Sequence, residues 1–475
     1  MKLLNFLGYT PVLASLNTSN KISRRQFYTV LAITTFFLLI TAQFFWATIH
    51  GDGAVYAWIT RKISENGILS ARLPNWTQTE VFAEHPYLFF YFTCLFTNLF
   101  GFSDLVMKLP NFFIAGFSIW TVYRVCCLRD GSKQRSYQIG LTAGYALILN
   151  ATYTLQISQP TLDPLAQLLA FLAPLILIYY RNAFLAGLVL GFAFLTKGLE
   201  LLPNLAALFF LTCYLEYRNL KALGQNLALG LLGLALPVAF WLGHDFYVWK
   251  SQWLQTYITR QFQNRLLTPE NMKSIFGFDY VWTFARVYCV EILIITVGFF
   301  KSVRSRRQDP LFFYFICYLF FHILAFLIIK KDSSQHLTGV LLVGSVFVGE
   351  YIWEGLQKVN RSFLRALPVF LCLAASLYWG LYMFRQNDKP DLWTSIRNEA
   401  ASMTVGENNL PFVIKNSTQD IYGMFNTAQW YFAGHKVYLQ PEADQLLEGQ
   451  EVYLLSDSDG WKLVKEKTIY KKGAL

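Results

Sequence analysis

Apolar and polar stretches alternate along this chain on the length scale of a lipid bilayer. Residues 1–26 are polar and carry Lys2, Lys21, Arg24 and Arg25; the run 27–49 that follows is long enough to cross a ~30 Å hydrocarbon core at ~1.5 Å per residue. Similar runs recur at 103–123, 138–150, 163–180, 183–196, 199–216, 225–242, 281–300, 310–329, 337–353 and 363–384, which makes about eleven spans. The aromatic stretch 85–100 is short for a crossing. If it crossed, the basic cluster Arg124, Arg129, Lys133 and Arg135 would lie outside, as would every later basic loop, so 85–100 is expected to be a re-entrant or interfacial helix on the outer face. EYRNLK, KSVRSRR and QKVNRSFLR then fall in the cytoplasm, and Lys197-Gly198 becomes an outer turn between two spans. The number of crossings is odd, with the N-terminus inside and the C-terminal region outside.

The pattern changes near residue 387. DLWTSIRNEAASM reads as a helix, and PFVIK, HKVYL, EVYLLS and WKLVKE read as short strands between Gly, Asn and Asp turns. The expected architecture is therefore an α-helical polytopic membrane protein with a small α/β domain on its outer face. Residues 1–26 form a cytoplasmic N-terminus, 27–386 the membrane domain with outer loops 50–102 and 243–281, and 387–475 the soluble outer domain.

Composition agrees: 55% of the 475 residues are hydrophobic and 15% charged, against about 25% charged in soluble proteins. The net charge of +11 sits in short clusters between apolar runs, as in cytoplasmic loops, and argues against a nucleic-acid partner. The seven cysteines include no CxxC pair and lie mostly within apolar runs, so neither a disulfide framework nor a zinc site is expected. The first apolar run has no convincing cleavage site and is expected to stay as an anchor.

This topology gathers ionisable residues at the outer surface: Asp52, His85, Asp163, Lys197, His244, Lys330, Lys331 and His336. Charges at membrane depth cost several kcal/mol and point to function. Lys330 and Lys331 also suit interfacial anchors, and His244 also suits the end of a span. After Asp52, the residues Val55, Trp58, Ile59 and Ile63 recur at helical spacing and predict an amphipathic helix lying in the interface. Asp52 stands at its N-terminal end, favoured there by the helix dipole, either as a simple N-cap or as a reactive carboxylate.

Several motifs occur in a recognisable order: D-x-x-x-Y-A-x-x-x-R-x-I-x-E-N-G from Asp52, His85-Pro86 before an aromatic helix, FGFSDLVMKLPNFFIAG, QPTLDPLAQLLAFL, GLVLGFAFLTKGLELLPN and KKDSSQHLTGVLLVGS. Together they resemble the protein O-mannosyltransferase and aminoarabinose-transferase group, GT-C-fold glycosyltransferases with polyprenyl-phosphate sugar donors. The resemblance implies an inverting transfer at the outer face of the plasma (inner) membrane, with a lipid, glycan or protein as acceptor and membrane lipids around the enzyme. It implies Asp52 as general base, Lys197, Lys330, Lys331 and His85 as donor-phosphate contacts, and Tyr56, Asp163 and His336 as substrate-binding residues. Asp163, followed by Pro164, equally suits a helix start. Two departures stand out: Gly53 where many relatives carry Glu after the Asp, and His85-Pro86-Tyr87 where relatives often have Lys-Pro-Pro. No obligatory metal is expected, although His50, Asp52, His85, His244 and His336 offer ligand types for a divalent ion. The alternatives are an oligosaccharyltransferase-like enzyme with a diphosphate-linked donor, and a lipid or solute transporter.

Overall fold

A computed structural model describes residues 49, 51–67, 70, 72–75, 81–129, 133–263, 309–329, 338–359 and, toward the C-terminus, 396, 400, 410–414, 427, 428, 430–432, 436–439, 443, 446, 447, 449–457, 463–469 and 471. The spans predicted at 27–49, 281–300 and 363–384 lie almost wholly outside these residues. The helices are α1 (Asp52–Asn66), α2 (Leu88–Phe100), α3 (Asp104–Arg129), α4 (Lys133–Leu149), α5 (Ala151–Ser158), α6 (Asp163–Tyr180), α7 (Ala183–Lys197), α8 (Leu202–Glu216), α9 (Leu220–Val248), α10 (Gln252–Ile258), α11 (Pro310–Ile329) and α12 (Thr338–Val359). Among the described residues, Asp104–Arg129, Asp163–Tyr180, Ala183–Glu216 and Leu220–Val248 are long and apolar enough to cross a membrane, as expected of a multi-pass membrane protein.

Local sequence sets the ends of these helices. The side chains of Asn150, Asn182 and Asn219 cap α5, α7 and α9 by accepting from Tyr153, Leu185 and Ala222 backbone N–H groups at 3.1, 2.9 and 3.0 Å. Pro164 occupies the first turn of α6. The run Ala183–Glu216 is a hairpin broken at Lys197-Gly198. Gly198 takes φ 68°, and Arg181, just before α7, lies 3.8 Å from Glu216 at the end of α8. The expected turn between the two apolar runs is present. α7 and α9 then run parallel in close contact: a Cβ on Gly187 would stand 1.9 Å from the Gly230 carbonyl oxygen, and one on Gly233 2.1 Å from that of Phe184. Small residues allow this approach where lipid supplies no hydrophobic drive between helices. The far side of α9 exposes Leu229, Leu232, Leu236 and Phe240, as a lipid-facing helix does.

At the opposite end from Gly198, Arg129 bridges Asp309 at 2.6 Å and Glu350 at 3.0 Å, joining the end of α3 to the start of α11 and to α12. All three positions belong to the side that the basic clusters assign to the cytoplasm. α2 is 13 residues long, ~20 Å at ~1.5 Å per residue and too short to span.

Two expectations require correction. α1 is not an amphipathic helix at the interface: every residue from Gly53 to Thr60 is buried, so its first two turns are enclosed on all sides. The predicted outer loop 243–281 begins inside a helix, because α9 continues to Val248. His244 packs within 4.5 Å of the Trp249 ring centroid, and the buried Asp245 carboxylate accepts from Trp253 and Leu254 N–H at 3.1 Å, capping α10.

The C-terminal region contains β1 (Phe412–Ile414), β2 (Val437–Leu439), β3 (Glu451–Asp457) and β4 (Leu463–Ile469) in the order β2-β1-β3-β4. These strands overlap the four segments marked as strands in the sequence. β1 is parallel to both neighbours, with Phe412 opposite Val437 and Tyr453, while β3 and β4 are antiparallel. Alternation puts Phe412, Ile414, Val437 and Tyr453 in one apolar cluster with Ile396, Ala428 and Phe432. Val413, Tyr438, Val452 and Leu454 form a second cluster with Ala443 and Leu447. A parallel sheet buried on both faces produces this division.

Candidate active site

Asp52 is the first residue of α1, after Gly51, whose φ of 54° and ψ of −133° suit glycine. The N-cap position belongs to Gly51, so Asp52 is not the cap; it is exposed in the first helical turn. The helix dipole favours a carboxylate there. Next to it, Gly53 meets the segment before α6: a Cβ would lie 2.8 Å from Gln159 Oε1 and 3.1 Å from Pro160 Cδ. Asn111 of α3 holds this segment by donating to the carbonyls of Gln159 and Thr161 at 2.6 and 3.0 Å. The space beside residue 53 is thus taken by the Gln159-Pro160 turn.

One turn along α1, the Tyr56 hydroxyl lies 3.3 Å from His85 Nε2, and both residues are buried. Burial, followed by the charges of Asp52, Asp163, Glu84 and Glu200, holds the phenol well above its usual range. Tyr56 therefore stays protonated and can donate to His85 in the tautomer that carries its hydrogen on Nδ1.

Lys197 and Asp163 do meet. The Lys197 ammonium is 3% exposed, ion-paired with Asp163 and 2.9 Å from Glu200. Lys197 is thus engaged by two carboxylates within the protein rather than presented as an open cation. Asp163 starts α6 and pairs with Lys197 at once, so its helix-start and polar roles coincide. Lys330, Lys331, His336 and His50 lie outside the described residues.

The sequence reading missed several groups. Tyr257 accepts from the Leu199 N–H at 3.0 Å, and its hydroxyl fills the space where a Gly198 Cβ would stand, with Pro86 beside it. Arg260, just beyond α10, lies 3.6 Å from Glu84, while Gln261 donates to the Glu84 carbonyl at 2.9 Å. Lys108 in α3 is fully buried one turn before Asn111. Glu84 and Glu200 were within reach, one residue before His85 and three after Lys197. Tyr257 and Arg260 stand in a stretch with no motif to single them out. Among the described residues, no group of three or more His, Cys, Asp or Glu side chains is gathered to hold a metal ion.

Residues 84–241 match the family model described as dolichyl-phosphate-mannose-protein mannosyltransferase. The chain is similar to ArnT from Cupriavidus metallidurans bound to undecaprenyl phosphate, with a TM-score of 0.65 and 14% identity over 91% of this chain and 93% of that one. Against the apo state of that protein the TM-score is 0.59 and the identity 16%, covering 92% and 93%. The archaeal oligosaccharyltransferase AglB from Archaeoglobus fulgidus, in complex with an inhibitory peptide and a dolichol-phosphate, gives a TM-score of 0.50 at 11% identity over 92% and 70%. No curated protein matches the chain in sequence.

Proposed function

We propose, for a chain that has the GT-C glycosyltransferase fold, that it transfers a sugar from a polyprenyl-phosphate donor to a hydroxyl or amine acceptor at the outer face of the plasma membrane. The observation that carries this reading is the convergence of Tyr56–His85, Asp163–Lys197–Glu200 and Glu84–Arg260 around the start of the helix that displays Asp52. The structure similar to this chain that contains undecaprenyl phosphate suggests the class of donor.

In the proposed reaction the acceptor gives its proton to the Asp52 carboxylate as its oxygen or nitrogen bonds to the anomeric carbon. The bond from that carbon to the phosphate oxygen breaks, and the electron pair leaves with the polyprenyl phosphate. Attack opposite the leaving group inverts the anomeric centre. The departing phosphate gains negative charge, so donors and cations at that position lower the barrier. Arg260, which lies 3.6 Å from Glu84, and the imidazole of His85 are the described candidates; Lys330 and Lys331 remain candidates from the sequence. Lys197 is assigned to holding Asp163 and Glu200 in place.

The test supplies purified protein with radiolabelled polyprenyl-phosphate sugars and a panel of lipid, glycan and peptide acceptors. Labelled acceptor together with free polyprenyl monophosphate is the expected product pair, and Asp52→Asn should slow its formation by about 10²–10⁴-fold. Transfer only from diphosphate-linked donors would favour the oligosaccharyltransferase-like alternative. Vesicle uptake without bond cleavage would favour a transporter.

A further inference from the structure

The C-terminal domain touches the membrane domain on both sides of Asp52. Tyr431 Oη accepts from the Ile49 N–H at 3.0 Å and donates to Asp104 Oδ2 at 2.6 Å. The neighbouring Trp430 donates from its indole nitrogen to Asp104 Oδ1 at 2.9 Å. Trp430 is 4% exposed and forms one apolar cluster with Ile49, Ala54, Ala57 and Met107. The Arg61 guanidinium stacks over the Trp430 ring at 4.7 Å and over Phe102 at 4.8 Å. The same two aromatic residues thus hold the backbone three residues before Asp52 and the α1 face two and five residues after it.

Packing from Gly53 onward fixes the body of the helix, and Trp430 and Tyr431 add their contacts at its start. α1 has no side-chain N-cap, and the space around Gly51 is open within 4 Å of where its Cβ would be. A helix start without a cap frays in its first turn unless something else secures it. Here the hydroxyl of Tyr431 secures the backbone at Ile49 and Trp430 packs on the first two turns, while the two Asp104 oxygens hold both rings at the start of α3.

We infer that Trp430 and Tyr431, gathered by Asp104, are positioning residues through which the C-terminal domain aims Asp52. This rests on the reading of Asp52 as general base. It makes the C-terminal domain part of the catalytic apparatus although neither ring touches the reacting atoms in the proposed step, and a carboxylate displaced by about an ångström loses much of its effect.

Tyr431→Phe keeps the ring and removes the shared hydroxyl. In the full-length protein it should lower kcat about tenfold with the donor KM within about twofold, because the donor groups are untouched. Amide exchange across 49–56 should quicken, while the strands Phe412–Ile414 and Glu451–Asp457 keep their protection. Asp104→Asn, changed on the membrane side of the contact, should give the same pattern. Unchanged kcat in both variants, or a fall in kcat without faster exchange at 49–56, would overturn the inference. So would faster exchange in the strands, which would mean the domain itself has loosened. Asp52→Asn measured alongside separates the two readings: full activity there removes the base assignment, whereas an inactive Asp52→Asn beside an unimpaired Tyr431→Phe removes only the positioning role.

Discussion

At the scale of single residues, Gly53 explains how the start of α1 packs against the segment before α6. Its missing side chain admits the Gln159-Pro160 turn against α1, and that turn leads directly to Asp163. Gly53→Ala should cost about 1–3 kcal/mol through this crowding, read as a lower unfolding midpoint in detergent; an unchanged midpoint would show that the turn yields freely. The glycine was visible in the sequence, but its reason was not, because residues 53 and 159 are far apart in the chain. The Tyr56–His85 contact shows the same limit. Both residues belonged to recognisable motifs, yet nothing in either motif said that the phenol would sit 3.3 Å from the imidazole.

At the scale of elements, the hairpin of α7 and α8 was legible. Two apolar runs meeting at Lys197-Gly198 predict a turn between them, and the turn is there. The charge state of that turn was not legible from hydropathy. Lys197 looked like a free cation because a sequence displays a lysine without its surroundings, whereas the fold places it beside Asp163 and Glu200 at 3% exposure. Lys197→Met should therefore act on stability first. Leaving the buried Asp163 carboxylate without its cation costs about 3–5 kcal/mol, and Asp163→Asn in the same chain should recover part of it. A variant that keeps its unfolding midpoint but loses donor affinity would restore Lys197 to the phosphate site. α1 went the other way. Its apolar spacing suggested a helix on the surface, but Ala54, Ala57 and Thr60, outside the apolar stripe, are covered as well, Ala54 and Ala57 in one cluster with Trp430 and Met107. Small side chains carry little hydropathy signal and are the ones that permit close packing.

For the whole molecule, the charge pattern and the fold agree on which ends belong together. Arg129, Asp309 and Glu350 form one buried ionic cluster, and the outer candidates Asp52, His85, Asp163 and Lys197 converge at the other end. A cysteine placed between residues 129 and 133, in a chain stripped of its seven native cysteines, should resist an impermeant thiol reagent added outside intact cells and react once the membrane is opened. Labelling from outside would invert the proposed orientation. The four strands of the C-terminal region were legible because alternation and turn residues are local signals. Its grip on Asp104 was not, since it joins residues more than three hundred positions apart. The central claim is that a carboxylate at the start of α1 drives sugar transfer from a polyprenyl phosphate. The most direct measurement compares Asp52→Asn with the wild type, in the same detergent and with the same labelled donor, for donor binding and for transfer. The account predicts binding retained and transfer slowed by about 10²–10⁴-fold; transfer at the wild-type rate would contradict it.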